Sequence, residues 1–164
     1  MNKGLVLLVI LSLLLCGCGP ELPESYDETV MLEHYEYPIT SASPEWADMT
    51  VAEKVEMLKI PQEKLGAMTD EELIQALADY PFLIDLNVYG KSTEESIETM
   101  RGYCSALGEL LSRNTAVDSL DGYGRKLADA YGRAAEEDGE NAGYYEVVEL
   151  LMNEIIDCVC GTED

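Results

Sequence analysis

The sequence predicts an all-α fold, a small antiparallel bundle of five to six helices after a disordered N-terminal tether. Three observations carry that expectation. Thr50-x-x-Glu53, Thr69-x-x-Glu72 and Ser92-x-x-Glu95 each fit a capping box, in which hydroxyl and carboxylate satisfy orphan amides of a helix's first turn. Apolar residues then recur at spacings of three and four, which aligns them on one helical face. The connections between these stretches are short, so neighbouring helices should run antiparallel.

Taken in order, the first helix is expected over 51–58, stopping before Pro61, because the residue preceding a proline avoids the helical region. The second is expected over 70–80, with Leu73, Ile74 and Leu77 inward and Pro81 ending it. The apolar run 82–89 suits a short buried helix or a strand, and its helical neighbours favour the helix. A third long helix is expected over 93–113, where Ile97, Met100, Cys104, Leu107 and Leu111 form one stripe before Asn114. Leu120, Leu127, Tyr131 and Ala134 mark another, with Gly122 and Gly124 each weakening its start by ~1 kcal/mol. Residues 136–139 read as a turn. The last helix is expected over 142–160, with Tyr144, Val148, Leu151, Ile155 and Val159 inward and Gly161 terminating it. Trp46 and the Tyr80/Tyr89 pair suit the closure of a core or a bundle end. No internal repeat emerges.

Residues 19–44 hold Pro20, Pro23, Pro38 and Pro44 among many acids and keep no period, which reads as a tether. Tyr26, Tyr35 and Tyr37 are unusual in a pure spacer and suggest docking onto the domain. Upstream, Lys3 is followed by an apolar run over 5–15, broken only by Ser12. As a helix that run spans ~16 Å, about half of a ~30 Å hydrocarbon core, so it suits a signal peptide and not a transmembrane helix. No alanine precedes Ala42, which argues against an Ala-x-Ala cleavage site.

The run ends at Leu15-Cys16-Gly17-Cys18, which resembles the lipobox of bacterial lipoproteins. That resemblance implies that residues 1–17 are removed and that Cys18 is lipidated as the first residue of the mature chain. It implies a diacylglycerol on the sulfur, often with a third chain on the amine. Cys16 fits the motif less well, because bulky Leu14 and Leu15 precede it. The expected location is the cell membrane, lipid-anchored and facing outside the cytoplasm. One acyl chain holds a protein only marginally, so stable attachment needs two or more. No basic patch is present to assist. The expected organisation is a signal peptide over 1–17, the lipidated cysteine and acidic tether over 18–45, and a helical domain over 46–161.

Within the domain, Trp46-x-x-Met49, Glu53-Lys54, Ile60-Pro61, Leu65-x-x-Met68-Thr69, Leu73, and Tyr80-Pro81 followed by Asp85 resemble a group of exported helical bacterial proteins. The similarity covers about residues 46–111 and supports the position of the domain start. It implies no activity.

Charge narrows the partners. The chain has 33 acidic and 10 basic residues, a formal charge of −23, and loss of Lys3 with the leader lowers it to −24. Nucleic-acid binding needs clustered Lys and Arg, and these are missing. Anionic headgroups would repel the domain, leaving the acyl anchor as its link to the bilayer. Cations, cationic peptides and basic proteins are the complementary partners.

Three cysteines follow the anchor: Cys104, Cys158 and Cys160. Export permits a disulfide from Cys104 to either of the other two, although a buried thiol is the default for Cys104. Residues 138–149 partly match a calcium loop: Asp138, Glu140, Gly143 and Glu149 fit positions 1, 3, 6 and 12. Position 5 is Ala142, which has no oxygen to offer. The competing reading is an acidic turn leading into a helix. His34, the single histidine, lies in the tether, and no nucleotide, zinc or phosphate-loop motif occurs. The expectation is therefore a membrane-tethered, non-catalytic binding or interaction module without a cofactor, whose partner is a protein, peptide or cell-wall component. The alternatives are a small-ligand or calcium-binding module using Asp138, Glu140 and Glu149, and a hydrolase working through paired carboxylates.

Overall fold

The structure, a computed structural model, describes residues 34–88 and 92–161. The leader, Cys18, Tyr26 and Tyr89 lie outside them. The described chain is helical, with no strand among the described residues. Its α-helices are α1 (Val51–Met57), α2 (Gln62–Leu65), α3 (Asp70–Ala78), α4 (Thr93–Tyr103), α5 (Ser105–Leu110), α6 (Ala116–Ser119), α7 (Arg125–Glu137) and α8 (Ala142–Cys160). Short 3-10 segments occupy Trp46–Asp48 and Leu83–Val88, and a π-helical segment, Leu120–Gly124, joins α6 to α7.

Local chemistry sets the starts. Thr50 and Glu53 close the box of α1 reciprocally, and Thr69 and Glu72 do the same for α3. The Ser92 hydroxyl accepts from the Glu95 amide at 3.3 Å to open α4. At the other end of the chain, α8 stops where Gly161 turns left-handed at φ 68°, a conformation glycine adopts without steric cost.

The expected third helix is two helices. Cys104 adopts an extended ψ of 104°, so the chain breaks between α4 and α5. Two long-range contacts hold the chain at the break. Tyr80 donates its hydroxyl to the Tyr103 carbonyl at 3.0 Å, and Ser105 Oγ accepts from the Ile60 amide at 3.0 Å. Gly108 permits the fold-back, since a Cβ there would lie 3.2 Å from the Arg101 carbonyl oxygen. The apolar stripe survives: Met100, Cys104 and Leu107 are all fully buried.

Helix α3 is the centre of the body. Leu73, Ile74, Ala76, Leu77 and Ala78 are buried, leaving mainly its acidic first turn in water. Fully burying each Leu or Ile contributes about 1.5–3 kcal/mol. The π segment, α5 and α6 pack against α3, and α7 and α8 form a closely packed hairpin through the turn after Glu137. In α8 the buried set is Val148, Leu151, Met152, Ile155 and Ile156, while Tyr144, expected inward, is 46% exposed. Val148, Leu151 and Ile155 thus lie inward as expected, and Met152 and Ile156 widen the buried face because α8 packs on several elements at once.

Residues 34–45, assigned to the tether from sequence, pack on the bundle. Ile39 is only 2% exposed and belongs to the core. Tyr37 donates its hydroxyl to the Ala76 carbonyl at 2.8 Å. A file of rings continues inward, with Tyr35 on Tyr37 at 4.8 Å, Tyr37 on Tyr80 at 5.6 Å and Tyr80 on Phe82 at 6.0 Å. Trp46 closes it against Phe82 at 5.3 Å, with Lys54 above its ring. The docking expected of Tyr35 and Tyr37 is present, and the folded body begins well before Trp46.

Candidate functional site

Asp79 ends α3 with a carboxylate, which the negative end of a helix dipole disfavours. Four donors offset that cost. His34 Nδ1 lies 2.8 Å from Oδ1 and the Tyr131 hydroxyl donates to the same oxygen at 3.1 Å. The Tyr35 amide donates to Oδ2 at 2.6 Å, as does Gln75 Nε2 at 3.1 Å. Only 8% of the Asp79 side chain is exposed. This hub straps residues 34 and 35 onto α3 and locks α7 through Tyr131. Burial raises the Tyr131 phenol above its ordinary pKa, the Asp79 charge adds to that, and the hydroxyl stays a donor.

Beside the hub opens a cleft of about 310 Å³. His34 and Tyr35 of the strap form one wall, and Lys64 of α2 and Met68 another. Glu71, Glu72 and Gln75 of α3 line the floor, and Tyr123 of the π segment completes it. Gln75 is 6% exposed, and its Oε1 has no hydrogen-bond partner among the described residues. With Nε2 donating to Asp79, Oε1 is an acceptor without a donor, closed off from solvent. A buried polar atom left so costs about 1–3 kcal/mol. Lys64 Nζ sits 4.5 Å over the Tyr35 ring and donates to its hydroxyl at 3.1 Å. The π segment positions Tyr123, and such segments are rare and concentrate at functional sites.

A second network is structural. Arg113 Nη1 donates to Asp70 Oδ1 and the Met68 carbonyl at 2.8 and 2.9 Å, and Nη2 donates to the Leu65 carbonyl at 3.1 Å. Ser119 and Thr115 also donate to Asp70. Burial alone would raise the Asp70 pKa, but these hydrogen bonds together outweigh it and hold the carboxyl below its ordinary value.

The calcium-loop residues are not brought together. No group of three His, Cys, Asp or Glu able to hold a metal occurs among the described residues. From Ala142 onward the segment is helix, so eight of the twelve loop positions lie in α8. Asp138 is spent on the turn, accepting from the Glu140 amide at 3.1 Å and from Asn141 Nδ2 at 2.8 Å. The Glu149 carboxylate lies over Gly132 of α7, where a Cβ would come within 2.8 Å of it.

Cys104, Cys158 and Cys160 are all free thiols. Burial pushes Cys104 up to about 11. His34 is half-exposed and engaged with Asp79. Sequence reasoning missed Gln75, Asp79, Tyr123 and Tyr131. The one available signal was the i, i+4 ladder Glu71, Gln75, Asp79 along α3, a pattern that usually marks a solvated face.

Comparison of the chain with family profiles, curated proteins and solved structures finds no match.

Proposed function

We propose that this chain is an exported lipoprotein, held to the membrane through acylated Cys18, whose helical body is a non-catalytic module that binds a ligand in the α3 cleft. The observation that carries the binding reading is the cleft itself, which three separate pieces of chain build around α3 from His34 and Tyr35, Lys64 and Tyr123. At about 310 Å³ the cleft falls at the small end of the range usual for ligand sites. A binding role suits its chemistry better than a catalytic one. Glu71 and Glu72 are exposed neighbours on one helix, and the buried Cys104 thiol stays protonated at neutral pH.

Cys18→Ala, expressed in a bacterium that processes lipoproteins, tests the anchor. The variant should leave the membrane fraction or accumulate with its leader attached. Membrane retention equal to that of the parent chain would contradict lipidation. The cleft is tested separately, by a thermal-shift screen of small polar molecules on the parent protein and on Met68→Trp, which fills the cleft. Hits lost in the variant support the module, and a screen whose hits survive Met68→Trp refutes it.

A further inference from the structure

We propose that the exposed face of α8 is a docking surface for a basic amphipathic helix of a partner polypeptide. The surface is separate from the α3 cleft, since the groove at its edge shares no lining residue with that cleft. Seven large apolar side chains are exposed among the described residues, and four of them, Ile84, Tyr144, Val147 and Leu150, belong to this face. Tyr144, Val147 and Leu150 follow at intervals of three along α8, so each lies beside the next on the helix surface. Ile84, in the 3-10 segment, shares with Tyr144 the lining of a groove of about 290 Å³, together with Thr40, Ser41, Pro81 and Leu83. Single exposed apolar residues are ordinary, whereas a row of them running out of a groove marks a site for another chain. A docked amphipathic helix uses that layout, with apolar anchors spaced by three and four against a furrow.

Charge selects the occupant. Neither α8 nor the 3-10 segment carries Lys or Arg, while between them they hold Asp85, Glu146, Glu149, Glu154 and Asp157. Asp157 is taken by Arg125, and Glu149 lies over Gly132 of α7. Glu146 and Glu154 sit one turn before and one turn after Leu150, where the Lys or Arg of a docked helix would meet them. A second copy would bring the same charge of −23, and residues 19–33 upstream hold acids and no base. Like charge opposes both of those occupants and favours a basic helix.

Fluorescence anisotropy with the full chain in zwitterionic lipid nanodiscs, against empty nanodiscs as the blank, tests this at physiological salt. The probes are a labelled Leu/Lys amphipathic helix of about four turns, a scrambled form of equal charge, a Leu/Glu counterpart and a peptide of residues 19–33. The expected result is saturable one-site binding of the Leu/Lys helix, about tenfold or more tighter than the scrambled and Leu/Glu forms. Leu150→Gln, at a position 58% exposed, should weaken that binding by about tenfold with the unfolding midpoint unchanged. Glu146→Lys should weaken it by about threefold or more, while Glu63→Lys, the same charge change on exposed α2, should cost less than about twofold. Equal binding of the scrambled form, or equal losses in the two charge variants, overturns the proposal and marks diffuse attraction to an acidic surface. Displacement of the labelled helix by the 19–33 peptide makes the chain's own upstream segment the occupant and overturns it. Self-association of the chain that Leu150→Gln abolishes, read by sedimentation, makes a second copy the occupant and overturns it too. Equal binding of the Leu/Glu form overturns the basic class, and no saturable binding of any probe overturns the surface.

Discussion

Asp79 does at the residue scale what no cap of α3 does by convention. A carboxylate at a helix C-terminus opposes the dipole, and here it persists because four donors from the strap, from α3 and from α7 converge on it. Asp79→Ala strands those donors, the Tyr131 hydroxyl among them on a fully buried residue. It should cost about 2–4 kcal/mol in urea unfolding at neutral pH. A loss below about 0.5 kcal/mol would mean that the strap is held by ring packing alone. Little of this was legible in sequence. Glu71, Gln75 and Asp79 read as a wet stripe because their spacing matches a solvated face. The strap that covers it is irregular chain around Pro38, without periodicity to announce it.

At the scale of elements, legibility followed locality. The capping boxes of Thr50 and Thr69 and the Gly161 stop depend on residues a few positions apart, and the helices they bound lie where expected. The break at Cys104 depends on partners far away in the chain, Ile60 and Tyr80, and no local signal carries it. The π segment is likewise a tertiary outcome, set where Gly124 lets Ile156 of α8 approach within 3.3 Å of a Cβ position. The clamp of Arg113 on Asp70 joins the end of α2 to the start of α3 and gives the fold an acid-sensitive joint. Asp70 is held below the ordinary carboxylate pKa of about 3.9, so its stabilisation is present above that value and is lost as pH falls through the lower folded value. Asp70→Asn should therefore cost about 1–3 kcal/mol at pH 7. The gap to the parent should close below about pH 4, as read by urea midpoints across pH 3–7. A gap that stays constant with pH would show that Asp70 contributes through shape and not through charge.

On the scale of the whole molecule, three separate pieces of chain build one cavity around α3. The strap brings His34 and Tyr35, α2 brings Lys64, and the π segment brings Tyr123. Each is fastened by contacts that a smaller bundle would not need: the Asp79 hub, the Arg113 clamp and the Gly124 crossing. Composition sets only the sign of the field, since a chain of charge −23 repels anions. What composition cannot set is the place, because acids are spread over every face. Backbone and side-chain amide spectra of the isotope-labelled full chain in micelles distinguish one built site from a diffuse acidic surface. Titration with 1,5-diaminopentane, a small cationic probe, should move the backbone amides of Glu71, Gln75 and Tyr123 along one saturating curve. Shifts that grow linearly across many acidic residues, with the Gln75 amide unmoved, would contradict a built site.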